Sequence, residues 1–210
     1  QPLSVYIKDD TEMNKQNNYE LGIKLIHNSD FSVKAVKTFM GMEGTGVNAN
    51  IYFKNRKIGD VIDSGNGGEL RIKYYIGESW MHKNKDVTEF LNTLPKHTFE
   101  EKGYDFRMDE VTNFDEEEMW NELITMAIAK RDYKKEMKKV MVISKDNQLC
   151  FYNHYTPHEL HKPYKSKKGK IKPLKDILID DHGNKMILNL LSESESFDVW
   201  FNHAYNKGGK

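Results

Sequence analysis

Residues Lys37–Ile76 read KTFMGMEGTGVNANIYFKNRKIGDVIDSGNGGELRIKYYI, and this stretch decides the fold. Val47, Ala49, Ile51 and Phe53 alternate with Asn48, Asn50 and Tyr52, the period-two pattern of a strand with one buried and one wet face. Lys54-Asn55-Arg56-Lys57 then reads as a hairpin turn, with Asn55 suited to a left-handed backbone. Ile58–Asp63 returns, and Leu70, Ile72, Tyr74 and Ile76 form the next inward face. Two glycine-bearing loops punctuate the run: Gly41-Met42-Glu43-Gly44-Thr45-Gly46 and Ser64-Gly65-Asn66-Gly67-Gly68. The whole is an antiparallel meander. Clustered glycines at strand ends permit positive φ and let main-chain N–H groups approach a ligand closely.

Working outward, Phe31–Phe39 is expected to be a further strand with Phe31, Val33, Ala35 and Phe39 on one side. Residues 1–30 form an N-terminal extension with two strand candidates, Ser4–Lys8 and Tyr19–His27. A short helix is expected over residues 84–95, with Asp86 as N-cap and Pro95 limiting it. Lys96–Asn113 is polar and irregular. Phe114–Lys139 is the strongest helix pattern: acidic residues Asp115–Glu118 open it, lysines 134, 135, 138 and 139 close it, and both ends suit the helix dipole. Its core side would use Met119, Trp120, Leu123, Ile124, Ala127 and Ile128. Val140–Ser144 and Gln148–Tyr152 flank a compact hairpin turn, Lys145-Asp146-Asn147. Ile177–Leu191 is apolar, broken by the turn Asp181–Asn184, and Phe197, Trp200 and Phe201 belong to a docked terminal helix. The expected class is α+β: an antiparallel β meander packed by a long amphipathic helix, with a smaller C-terminal β/α unit. The expected division is residues 1–30, 31–113 and 114–210.

Composition narrows the function. The 210 residues are 38% hydrophobic and 30% charged, enough to bury a core. Lys+Arg and Asp+Glu are both 32, which disfavours a general polyanion-coating role and leaves local basic patches open. The single Cys150 precludes an internal disulfide and suits a reducing compartment. No apolar run approaches the roughly 18–20 residues that span a bilayer. Gln1-Pro2-Leu3-Ser4 reads as a processing boundary. The expectation is a cytoplasmic protein with no membrane partner.

The glycine loops match neither a P-loop nor a dinucleotide fingerprint, because they join strand to strand. Two readings stay open for them: turns and bulges of the meander, or a recognition rim. For the rim, Asn48, Asn50 and Tyr52 line a wet face beside the first loop, and Arg71 and Lys73 line one after the second. Donors, acceptors and cations there suit an anionic or nucleotide-like ligand. The candidate binding residues are therefore Gly44, Gly46, Asn48, Asn50, Tyr52, Asp63, Gly65, Gly67, Gly68, Arg71 and Lys73.

Other candidates carry less. His154, His158 and His161 would share a helical face and bind a divalent metal, but Pro157 interrupts the window, and exposed or packing histidines are favoured. The basic run Lys162–Lys175, with Tyr164 in it, could hold a nucleic-acid backbone and stack a base; a solvated loop is favoured. Cys150 has no base partner and reads as packing. No GxSxG or other catalytic constellation is present. The expectation leans away from an enzyme, with no cofactor and no metal.

Residues Val33–Leu191 resemble a group of largely uncharacterised proteins carried by bacteriophages and other mobile elements. The resemblance rests on Asn48-Ala49-Asn50-Ile51-Tyr52, then Lys57-Ile58-Gly59-Asp60-Val61, then Asp63-Ser64-Gly65-Asn66-Gly67-Gly68, and downstream on the acidic-to-basic helix feeding the hairpin Lys130–Phe151. It implies a phage setting in the host-cell cytoplasm, where small accessory proteins disarm host immunity; joined to the glycine-loop face with Asn, Tyr, Arg and Lys on its rim, the expected function is a non-enzymatic sponge that sequesters a nucleotide-derived immune signal, with a homo-oligomer compatible with such pockets. Alternatives are an inhibitor that binds a host defence enzyme through the tail Phe197–Tyr205 or the long helix, and a nucleic-acid-binding accessory protein.

Overall fold

The structure, a computed structural model, describes residues 10–76, 79–81, 83–98 and 111–205. The chain divides into two compact units, residues 1–127 and 128–210. Both are mixed, and the class is α+β.

The first unit holds helix α1 (Asp10–His27) and strands β1 (Phe31–Met40), β2 (Thr45–Phe53), β3 (Arg56–Asp63), β4 (Arg71–Ile76) and β5 (Ser79–Met81). The strands form one sheet in the order β1-β2-β3-β4-β5, every pair antiparallel. Helix α2 (Lys85–Leu91), a two-residue pairing of β6 (His97–Thr98) with β7 (Val111–Thr112), and the first half of helix α3 (Glu116–Glu136) complete it. One face of the sheet supplies Val47, Ala49, Ile51, Val61 and Tyr74 to the core. Against that face α3 lays Met119, Trp120, Leu123 and Ile124, all buried. Trp120 meets Phe31 edge-on at 5.8 Å, and its indole N–H donates to the Tyr74 hydroxyl at 2.9 Å. Tyr74 in turn donates to Glu116 at 3.2 Å, while Glu117 accepts the Leu70 amide at 3.1 Å. The helix is thus pinned to β4 by polar as well as apolar contacts. Burial pushes the Glu116 carboxyl above its ordinary value, partly offset by the Tyr74 bond. Asp115 and Glu118 exchange backbone bonds at the start of α3, so two acids of the opening run form a reciprocal cap.

Several expectations are corrected. Tyr19–His27 is helix, not strand. Leu21 and Leu25 are exposed, while Gly22 and Ile26 share the inner helical face; a Cβ at Gly22 would lie 2.1 Å from the Phe114 ring. Ser4–Lys8 lies outside the described residues. The N-cap of α2 is Asn84, whose Oδ1 accepts from the Asp86 and Val87 amides; Asp86 sits in the first turn, and the helix ends at Leu91. In β1 the register shifts between Lys34 and Lys37, with Ala35 at φ +54°. This bulge turns Phe39 to the opposite face from Phe31. Helix α3 is shorter at both ends than Phe114–Lys139.

The second unit is built on strand β8 (Val140–Ile143), flanked in an antiparallel sheet by β9 (Leu149–Tyr152) and β12 (Met186–Ile187). All four β8 residues are buried, because both of its faces are covered. Met141 and Ile143 pack with Ala129 and Tyr133 of α3, Leu188, and Trp200 of helix α5 (Glu193–Ala204). Val140 and Val142 pack with Leu160, Ile187, and Leu174 and Leu178 of helix α4 (Leu174–Asp180). Asn147 at φ +60° closes the β8–β9 turn. The basic run forms a small hairpin of β10 (Pro163–Lys165) and β11 (Ile171–Pro173). Among the described residues, no helix is long and apolar enough to cross a membrane.

Glu159 anchors that hairpin. It accepts from the Tyr164 hydroxyl at 2.6 Å and from the Thr156 amide and hydroxyl at 2.7 and 3.0 Å. The Tyr164 bond, then the Thr156 bonds, hold its carboxyl at about 2, against an ordinary 4.5. A depressed folded-state value contributes stability above pH 4.5 that is lost as pH falls through about 2. Melting curves from pH 6 downward should therefore show Glu159→Gln less stable than wild type at the top of the range. The gap should close as pH approaches 2; a constant gap would count against the ionic role.

Candidate ligand-binding face of the sheet

Directly opposed residues of antiparallel strands point to the same side, so the register writes out the wet face of the first unit. Lys37, Asn48, Ile62 and Arg71 form one row across β1–β4. Lys34, Asn50, Asp60 and Lys73 form the next, and Ser32, Tyr52 and Lys57 the third. Phe39, opposite Gly46, lies at the far end of the face; its ring covers Gly46, where a Cβ would come within 2.4 Å of it. Of the expected binding residues, Asn48, Asn50, Tyr52, Arg71 and Lys73 thus share one surface.

Charge on this surface is uneven. Lys34, Lys37, Lys57, Arg71 and Lys73 are exposed. The one carboxylate in the three rows, Asp60, forms an ion pair with Lys57 at 2.7 Å and accepts from the Tyr75 hydroxyl. Lys34 stands 4.6 Å over the Tyr52 ring, and Lys57 5.1 Å over Tyr75. Among the described residues no carboxylate pairs with Lys37 or Arg71. An open cleft of about 550 Å³ runs from Ser64 and Gly68 to Arg71 and Lys73, bringing one glycine of the second loop to the two cations.

The remaining glycines behave differently. The two loops face each other and interlock. The Glu43 amide donates to the Gly65 carbonyl at 2.9 Å, the Met42 amide to Asn66 Oδ1 at 3.0 Å, and the Gly41 amide to the Gly44 carbonyl at 2.7 Å. Asp63 accepts the Gly65 amide at 2.8 Å. These donors are consumed inside the loops. A Cβ on Gly65 would lie 2.6 Å from Gly46 N and 2.8 Å from the Gly44 carbonyl oxygen. Gly67, at φ +69°, would bring a Cβ against the Glu43 carboxylate, whereas Gly44 and Gly68 stand in open space. Gly46, Asp63, Gly65 and Gly67 are therefore the joint between the loops, and Gly68 is the one glycine of the set at the cleft.

Sequence reasoning missed Lys34, Lys37, Lys57, Asp60 and Tyr75 on this face. The alternation of β3 contained a signal for Asp60, which lies one step from the inward Val61, although the extra residue at Ile58 breaks the pattern just before it. Lys34 follows from the alternation of Phe31 and Val33 ahead of the bulge, whereas Lys37 required the bulge.

The other candidates resolve locally. His154, His158 and His161 are exposed around a single 3-10 turn, Pro157–Glu159. Among the described residues no group of three His, Cys, Asp or Glu side chains could hold a metal. Cys150 is half-buried against the Val140 cluster. Tyr164 is bonded to Glu159 and packed on Tyr155 at 5.6 Å. A cleft in the second unit, walled by Asp132, Glu136, Phe151, Trp200 and Tyr205, contains none of the candidate ligand-binding residues, though Trp200 and Tyr205 belong to the tail proposed to dock on a host enzyme; Glu136 there already accepts the Trp200 indole at 2.7 Å. Compared with protein-family models, curated proteins and solved structures, the chain matches none.

Proposed function

We propose that the chain is a non-enzymatic binding protein whose polar sheet face captures a nucleotide-derived ligand through its phosphate. The observation that carries this reading is the register that aligns Arg71 with Asn48, and Lys73 with Asn50, on one solvent-facing surface. Cations at one border and amide side chains beside them supply charge-assisted bonds for phosphate and donor–acceptor pairs for a base. Among its described residues the face offers no nucleophile with an adjacent base, which favours capture over turnover. The sequence resemblance supplies a setting in which such capture would silence an immune signal. The inhibitor alternative draws less support, since Trp200 is 2% exposed and Phe197 packs against the core of the second unit.

Thermal melting against mono-, di-, cyclic and ADP-ribose-type nucleotides, with and without divalent metal, tests the proposal. One site at ~100 Kd adds about 2.7 kcal/mol, a shift of several degrees. The joint replacement Arg71→Ala, Lys73→Ala should abolish the shift while leaving the unliganded melting temperature within about a degree, because both side chains are exposed. A shift that survives both changes would exclude this face.

A further inference from the structure

We infer that the ligand of this face is a single strand of nucleic acid laid along β2, rather than one nucleotide; the inference rests on the capture reading above. The first ground is shape. Small-ligand sites bury ~70–90% of the ligand, but Lys34, Lys37, Asn48, Arg71 and Lys73 on this face are exposed, and among the described residues no element walls it in. It is a sheet surface bordered by an open cleft. The rows at Gly46 and Tyr52 are separated by roughly 20 Å at ~3.3 Å per residue, and β1 to β4 spans roughly 14 Å. A single nucleotide would cover a fraction of that area.

The second ground is the distribution of chemistry. Lys34 and Lys37 make a cationic rail on β1, and Arg71 and Lys73 make another on β4. Between the rails lie Asn48 and Asn50, whose amides can bond base edges. Aromatic rings stand toward the two ends: Phe39, 39% exposed and lying on Gly46, and half-buried Tyr52 in the third row, whose ring carries the exposed, displaceable Lys34 ammonium at 4.6 Å. A positively charged track with aromatic platforms is what sequence-tolerant single-strand binding requires, because phosphates follow the charge and each base has a stackable face. Asp60, the carboxylate within the rows, is held by Lys57 and Tyr75 and so repels little. A stiff duplex would keep its bases stacked on one another and leave Phe39 and Tyr52 unused.

The test is fluorescence anisotropy with labelled oligothymidylates and oligouridylates of about 4, 8 and 16 nucleotides, the range of sites seen on single-strand-binding folds. A matched duplex, a mononucleotide and a cyclic dinucleotide serve as competitors. Affinity should rise with length and then level off, and log K should fall with log salt at a slope of about −2 to −3, for three to four phosphates at ~0.7 each. Lys37→Ala with Arg71→Ala should flatten that slope by about 1.4. Tyr52→Leu should weaken the longest strand by about tenfold, and Arg71→Lys should retain the slope. Unchanged melting temperatures separate these losses from unfolding. A preference between the two sugars assigns DNA or RNA, and either supports the inference. A mononucleotide or cyclic dinucleotide that competes as tightly as the longest strand overturns it while leaving the capture reading intact, as does a duplex of equal affinity. No binding of any labelled strand overturns the inference, and a flat melting panel with the nucleotides above overturns the capture reading as well. Binding lost on Lys167→Ala with Lys168→Ala, and kept in the face variants, also overturns both and moves the site to the β10–β11 hairpin.

Discussion

Gly65→Ala is expected to destabilise the first unit by about 3 kcal/mol or more, the sum of a non-glycine residue in left-handed backbone and an overlap with rigid main chain. Gly65 has φ +68°, and its new Cβ would press on Gly46 N and the Gly44 carbonyl oxygen, neither of which can swing aside. The neighbouring glycines form a graded series. Gly67→Ala incurs the left-handed cost of about 1–2 kcal/mol, but its contact, the Glu43 carboxylate, is the mobile end of a side chain. Gly68 has no positive φ and open space around its Cβ, so Gly68→Ala should be neutral or stabilising by up to about 1 kcal/mol through the unfolded chain. Urea denaturation of the three variants should give midpoints in the order Gly68, Gly67, Gly65 from highest to lowest. Equal losses at Gly65 and Gly68 would mean that the loops do not interlock as described. The series also separates structure from ligand contact, since Gly68 borders the cleft: a bulkier side chain there can obstruct binding without loosening the joint.

The meander was legible because Val47, Ala49 and Ile51 alternate without exception, and the turn at Asn55 has the residues that left-handed backbone favours. What the period could not show was where the alternation breaks. One inserted residue near Ala35 reverses the face of everything after it, so plain alternation puts Phe39 on the side of Phe31 and hides Lys37 from the polar face. Leu21, Ile23 and Leu25 mimic a strand inside a helix whose buried positions are Gly22 and Ile26, and Gly22 is inward because Phe114, more than ninety residues away, fills the space above it. The glycine loops failed as a guide for a related reason. Glycine marks a need for close approach but does not say to what; here the approaching group is the other loop, some 20 residues distant in sequence. Asn48, Asn50, Arg71 and Lys73 were legible as a surface because each lies one step from an inward residue. Their alignment into rows is a property of register.

Trp120→Ala should cost about 3–5 kcal/mol, the usual range for removing a buried large aromatic. Trp120 is fully buried, meets Phe31 at 5.8 Å and bonds the Tyr74 hydroxyl. Tyr74→Phe removes less volume but leaves the Trp120 indole without its acceptor and Glu116 without its donor, a cost of about 1–3 kcal/mol. The two changes share one contact and should be sub-additive: the double variant should lose less than the sum of the singles by 0.5 kcal/mol or more, roughly the coupling expected of contacting residues. Strict additivity would refute the bond. Tyr74 also determines which way β4 faces, since its inward ring obliges Lys73 and Tyr75, its neighbours in sequence, to point outward, and Arg71 with them. The Trp120–Tyr74–Glu116 chain, buried at Trp120 and Tyr74, is thus what holds the β4 cations on the polar face. Anisotropy on Tyr74→Phe, folded at low temperature, should retain strand binding if that register survives the loss of one hydroxyl.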